Sequence, residues 1–242
     1  MNLIFKMKKK SITKYLLDFI VIVLGITVSF WFNQLSIQTE KDRERIKVLN
    51  NIEEEVEEIK KYCEVRLKTW NEDINIYNQF LNKQFNYEAI KEITSSKSRV
   101  EFNLIYYRDF EPPMNRYNSM INSGDIKYIK SEKLKEILTR LHTFNLSNIK
   151  TTVEYEKNLK EQLISLLTLK HSDLFLAGID QKRNLKRYSE ILHNSINNDL
   201  QLKSNLLVQM KYFKTRVSLL RLYIYVLDEL ESELIKIKDS FK

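Results

Sequence analysis

The sequence predicts an all-α protein: an N-terminal transmembrane helix followed by an elongated, antiparallel three- to four-helix bundle of coiled-coil-like character. Three observations predict it. The 242 residues contain only three Gly and two Pro, too few for the closely spaced tight turns of sandwiches and barrels. Residues 15–32 form one apolar run in which Asp18 is the only fully charged group. Downstream, apolar residues recur in alternating steps of three and four along three long stretches, the period of a helix with one buried face. The organisation read from these is a basic tail (1–14), a membrane helix (15–33) and a helical bundle domain (34–242).

The tail holds Lys6, Lys8, Lys9, Lys10 and Lys14 and no acid, so it supplies most of the formal net charge of +8. The remainder interleaves its acids and bases, as in Glu40-Lys41-Asp42-Arg43-Glu44-Arg45. No basic stripe is left for a nucleic acid, and no nucleic-acid partner is expected.

The run YLLDFIVIVLGITVSFWF is 18 residues long, about 27 Å as a helix, which matches a hydrocarbon core. Tyr15 and Trp31 stand at its two ends, where aromatic belt residues belong. It ends in Ser-Phe-Trp-Phe, without the small-residue site of a cleaved signal peptide. Lysines crowd the N-terminal flank and the other flank has no base before Lys41, so the N-terminus is expected in the cytoplasm and the bulk of the chain across the membrane. The span's expected partner is the lipid bilayer. Asp18 lies one turn from Lys14, where it can reach the interface or pair with that lysine; the alternative is contact with a partner helix. Gly25 and Ser29, four residues apart, form a small-residue face that another helix can approach closely, in a second copy of the chain or a partner membrane protein.

Asp18, Gly25-Ile26, Ser29 and Asn33 resemble the opening pattern of an uncharacterised bacterial family, domain of unknown function 6090. That family places an acid at the start of the span, Gly-Ile seven residues on, a small residue four later and Asn four after that. It then usually has Trp two residues after the Asn, where this chain has Leu35. A second match is Tyr117, Ser123-Gly124-Asp125-Ile126, Ile129 and Leu134, which resembles the family's Ser-Gly turn between two helices. The resemblance implies a single-pass protein of the bacterial inner (plasma) membrane with a helical remainder, and implies no activity.

Residues 38–84 contain no Gly or Pro and carry a stripe of Ile52, Val56, Ile59, Cys63, Leu67, Trp70, Ile74, Tyr77 and Leu81. This predicts a rod about 70 Å long. Residues 87–94 suggest a turn or two of helix and 95–99 a loop. Pro112-Pro113 opens a short helix that Gly124 ends. Ser131 caps a long helix over 131–170, with Leu134, Leu138, Leu141, Ile149, Val153, Leu159, Leu163 and Leu166 inward. A break is expected at 171–180, a helix at 181–196 and a turn at 194–198. The last helix, 199–240, sets Leu206, Phe213, Leu220, Leu227, Leu234 and Phe241 seven apart, with Met210, Val217 and Ile224 as a second seam. The expected path runs out along 38–84, turns over a tip at 85–130, returns to the membrane and goes out again.

The expected tip holds Phe102, Tyr106, Tyr107, Arg108, Phe110, Arg116 and Tyr117, an aromatic and arginine composition typical of interfaces; plugging the bundle's end is the alternative. His142, His171 and His193 fall in no metal-ligand spacing, and His171-Ser172-Asp173 comes with no oxyanion-hole turn. Cys63 reads as a small core residue, with an intermolecular disulfide as the alternative. Glu53–Glu58 reads as a solvated face pairing with Lys60 and Lys61. No cofactor, metal or enzymatic activity is expected. The function expected is a membrane-anchored scaffold or interaction protein. The alternative is a sensory or regulatory subunit whose bundle binds a ligand and signals through the span to a partner membrane protein.

Overall fold

The computed structural model describes the backbone of residues 2–179 and 185–240, and the side chains of 14–174, 176 and 185–240. Among the described residues every regular element is helical and none is a strand. Helix α1 runs unbroken over Asn2–Leu81, 80 residues and about 120 Å. From Lys14 to Lys41 it is exposed throughout, and its packing starts at Val48 and Leu49. Beyond that, its predicted stripe is buried, with Leu67 and Leu81 half-buried.

The short elements follow local chemistry. Asn86 caps α2 (Tyr87–Ile93) by accepting from the amides of Glu88 and Ala89. Helix α3 (Lys97–Ile105) begins inside the stretch that composition marks as loop, because Val100, 1% exposed, and the stem of Lys97 are drawn into the core. Helix α4 (Asn115–Ser123) ends at Gly124, whose φ of 74° is the left-handed cap that glycine adopts without strain. A 3-10 turn over Asp125–Tyr128 leads to Ser131, which caps α5 (Glu132–Thr139) through the amide of Leu134. A π-helical stretch, Arg140–Asn145, joins α5 to α6 (Leu146–Lys170). The break expected at 171–180 is instead mostly helix, α7 (Ser172–Ile179). Residues 180–184, where the break and the next helix were expected to meet, lie outside the described residues. Helix α8 (Leu185–Asn198) absorbs the asparagine-rich stretch expected to turn. The chain breaks at Asp199, whose carboxylate accepts from the amides of Gln201 and Leu202 and starts α9 (Leu200–Asp239).

Helix α9 packs against both α1 and α6. Lys238 meets Glu53 at 2.5 Å, Lys60 meets Asp228 at 2.6 Å, and Tyr77 meets Gln209 at 2.9 Å, so α9 runs opposite to α1. Arg216 meets Thr152 at 3.0 Å and Lys170 meets Gln201 at 2.5 Å, so α9 also runs opposite to α6. The expected path is therefore corrected. The chain returns toward the span through residues 85–130, goes out again along α5–α6 and comes back along α9. Along the first return Asn103 faces Tyr77, Arg108 faces Asp73, Glu111 faces Tyr62, Arg116 faces Glu58 and Lys130 faces Asp42. Acids placed along α1 at the heights of these bases lay the segment down the side of the rod. No tip is formed by it.

The glutamate run also departs from expectation. Lys60 turns to Asp228 and Glu231 of α9, while Glu54 and Glu58 pair with Arg116. Glu55, 4% exposed, accepts from the backbone amides of Arg116 and Tyr117. It thus caps α4 from another helix, where Met114 offers no side-chain cap.

Candidate functional site

Three places on this scaffold bear on function: the apolar span, the flank at 102–117 and a buried charge cluster between α1, α6 and α9.

In the span, the 18-residue window of highest hydropathy averages 2.1 and is 0% buried, long and apolar enough to cross a membrane. The Thr27 hydroxyl donates to the carbonyl of Val23, so it brings no unsatisfied polar group to the helix surface. Asp18 is exposed, and no ion pair joins it to Lys14. A Cβ built on Gly25 would meet nothing within 4 Å, and Ser29 is exposed, so no helix among the described residues occupies that face.

On the flank, Phe110 is core, 1% exposed, edge-on to Tyr223 at 5.5 Å. Arg108 binds Asp73 at 3.2 Å and lies 4.3 Å above the ring of Phe102. Phe102 stacks on Tyr106, and the Lys157 ammonium lies 5.6 Å from the ring of Tyr107. Arg116 is held by Glu54 and Glu58, and Tyr117 stacks on His142 at 3.8 Å. Tyr106 alone of these seven is mostly exposed, at 60%.

The charge cluster is not among the expectations from the sequence. Arg216, 1% exposed, donates through Nη1 to Glu156 at 2.5 Å, through Nε to the Thr152 hydroxyl at 3.0 Å and through Nη2 to the Thr152 carbonyl at 2.7 Å. Its guanidinium also lies 5.1 Å over the ring of Trp70. Lys160 sits 3.1 Å from the other oxygen of Glu156 and donates to the carbonyls of Asn103 and Tyr106 at the C-terminal end of α3. The Tyr77 hydroxyl has acceptors on both sides, Asn103 O at 2.7 Å and Gln209 Oε1 at 2.9 Å, and one proton to share between them. Asp73 takes Arg99 at 2.7 Å and Arg108.

Burial pushes the Asp73 carboxyl up to about 6 despite Arg99 beside it. Burial likewise lowers Lys160, against the pull of Glu156, and raises the Tyr77 phenol. Perturbed groups of this kind mark functional sites in clefts. Here the adjoining cavity, between Tyr77, Asn103 and Leu206, holds about 10 Å³, the size of one water. The cluster ties α6 to α9 and to the end of α3, and polar groups so placed at a core seam can set register.

A signal for it existed. Gln209, Arg216, Tyr223 and Leu230 are seven apart, and all are at most 1% exposed. They take the deeper part of the seam expected for Met210, Val217 and Ile224. Likewise Glu156, Lys160 and Leu167 lie inward, while Leu159 and Leu166 are half-buried. Following leucines alone led past the charges.

The histidines are structural in placement. His142 is buried beside Met114, and burial lowers its pKa to about 4. His171 pairs with Asp199, and His193 with the carbonyl of Phe80. Cys63 is free and fully buried, its thiol pushed up to about 12 by burial, which puts it out of reach of a second copy. Among the described residues no group of three or more His, Cys, Asp or Glu is placed to hold a metal ion. Comparison of the chain with protein-family models, with curated proteins and with solved structures returns no match.

Proposed function

We propose that the chain is a membrane-anchored, non-enzymatic scaffold: one helix in the bilayer, continued without a break into an elongated helical bundle with antiparallel, coiled-coil-like pairing. The supporting observation is the contrast along α1. From Tyr15 to Ile37 the large apolar side chains are 37–70% exposed, whereas from Val48 the same helix buries its apolar face. An apolar surface of that extent is unstable in water and matched by lipid. The lysine tail supports an N-terminus in the cytoplasm of a bacterium and a bundle on the outer side of its plasma membrane. Resemblance to the family of domain of unknown function 6090 supports the same placement.

The sensory alternative is favoured by one feature. Because α1 passes straight from the span into the core, a change in packing at Val48 is transmitted mechanically to Gly25 and Ser29. A partner membrane protein on that face would then receive it.

The test is fractionation and fusion. The chain is expected to stay in membranes washed with alkaline carbonate. Alkaline phosphatase fused after Lys242 is expected to be active. Release by carbonate would overturn the anchor; an inactive phosphatase with an active cytoplasmic reporter at the same site would overturn the orientation.

A further inference from the structure

Where α1 first enters the bundle, it forms with α4 and the 3-10 turn at Asp125 a pocket of about 210 Å³. Val48, Ile52 and Met120, each at most 7% exposed, make its apolar floor, and the exposed Ser119 also lines it. Its two charged residues differ. The guanidinium of Arg116 is occupied by Glu58 at 2.8 Å through Nη1 and by Glu54 at 3.1 Å through Nη2. Asp125 accepts the Ser123 hydroxyl at 2.6 Å and has no ion pair among the described residues. Bases next to the pocket in the chain are engaged elsewhere as well. Lys47 meets Glu44 at 3.5 Å, and the Lys127 ammonium lies 5.1 Å from the ring of Tyr128.

We propose that this pocket binds a small organic cation, an ammonium group carried on a short apolar body. An unpaired carboxylate beside an apolar floor satisfies both halves of such a molecule: the ammonium gains a charge-assisted hydrogen bond, and its body leaves water. An anion would face Asp125 with Arg116 already occupied, and a neutral molecule would gain from the floor alone. Val48 follows Asn33 by 15 residues of unbroken helix, about 22 Å. The headgroup layer is only about 5–7 Å deep on each side of the hydrocarbon, so the cation comes from solution and not from a lipid headgroup. That source rests on the anchor reading; the binding does not. The packing of α1 starts at Val48, so an occupant there acts where α1 leaves the core for the span. The pocket thus supplies the ligand that the sensory alternative requires.

The full chain in neutral detergent is titrated calorimetrically with isobutylammonium, isobutanol and isobutyrate, three molecules of similar size and different charge, against detergent alone. Isobutylammonium is expected to bind at least about tenfold tighter than the other two. Asp125→Asn, which keeps an acceptor for the Ser123 hydroxyl, is expected to abolish that preference with unchanged circular dichroism. Ser119→Trp fills the pocket from an exposed position and is expected to remove binding. Equal binding of ammonium and alcohol, or an ammonium signal unchanged in Asp125→Asn, would overturn the proposal, as would no heat beyond that of the detergent. Binding that survives Ser119→Trp would put the cation elsewhere and overturn it too. None of these outcomes bears on the anchor, which the carbonate wash tests separately.

Discussion

Two parts of the bundle are held in different ways. Along α9, Leu206, Leu220, Leu227 and Leu234 are at most 1% exposed, spread over about eight turns of a helix that packs against α1 and α6. That seam is apolar, periodic and indifferent to which leucine meets which. The flank at 97–117 has little periodicity. It is pinned by charges and backbone groups: Arg99 and Arg108 on Asp73, Lys160 on the carbonyls of Asn103 and Tyr106, Glu55 on the amides of Arg116 and Tyr117. The apolar seam supplies stability, since burial is non-directional and scales with area. The polar contacts supply position, since a hydrogen-bonded charge is satisfied in one arrangement only.

The sharpest break of this comparison is in the seam. Leu220→Ala with Leu227→Ala removes two fully buried side chains, each worth about 2–5 kcal/mol, against about 5–15 kcal/mol for a domain. The full chain in detergent is expected to unfold or nearly so. The exposed pair Lys211→Ala with Lys214→Ala is expected to cost less than about 1 kcal/mol. Equal melting temperatures for the two double variants would show that the seam is not buried.

The charge cluster should give the next largest effect, with an order set by its geometry. Glu156→Gln leaves Arg216 and Lys160 buried without their shared carboxylate and is expected to cost about 3–5 kcal/mol. Arg216→Met leaves Glu156 still paired with Lys160 and is expected to cost less. The reverse order in chemical denaturation would mean that the arginine's contacts with Thr152 and Trp70 outweigh the ion pair.

Acid separates two buried groups with opposite signs. The folded pKa of Asp73 is raised from 3.8 to about 6, so the folded state binds the extra proton and this group adds stability as pH falls from about 6 to 4. That of His142 is lowered from 6.5 to about 4, so it removes stability as pH falls through the same window. Each is bounded at about 3 kcal/mol. His142→Gln is expected to gain stability on acidification relative to the wild type, and Asp73→Asn to lose it. Parallel pH profiles for all three proteins would exclude both assignments.

Smallest and most local is Glu55→Gln. Loss of the charged cap is expected to cost about 1–2 kcal/mol and to speed hydrogen exchange at the amides of Arg116 and Tyr117, leaving α9 protected. Exchange that speeds equally along α9 would make Glu55 part of the seam's own stability.

What the sequence discloses follows the same division. The span, α1, the helix stop at Gly124, the cap at Ser131 and the first seam of α9 are legible because local chemistry or a repeated apolar step marks each. The return of residues 85–130 along α1 is not legible. It depends on Arg99, Arg108 and Arg116 finding acids 26 to 62 positions away in the chain, and charge pairing across such separations leaves no period. Glu156, Lys160 and Arg216 were hidden for another reason: charged residues are read as surface unless the buried partner is already known. Past the π-helical stretch at Arg140–Asn145 the expected Ile149, Val153 and Leu163 are still inward, and at the last step Leu167, four residues after Leu163, is buried where Leu166 was expected.

The central claim is that the segment after α1 and the C-terminal helix both come back toward the span. A zero-length carbodiimide crosslinker, which joins amines only to carboxylates in direct contact, tests it on the chain in membranes. The account predicts crosslinks of Lys238 to Glu53, of Lys60 to Asp228 or Glu231, and, more weakly at 4.0 Å, of Lys130 to Asp42. Crosslinks that instead join Lys127 or Lys130 to Glu88 or Glu92, with none between Lys238 and Glu53, would put 85–130 at the far end and contradict it.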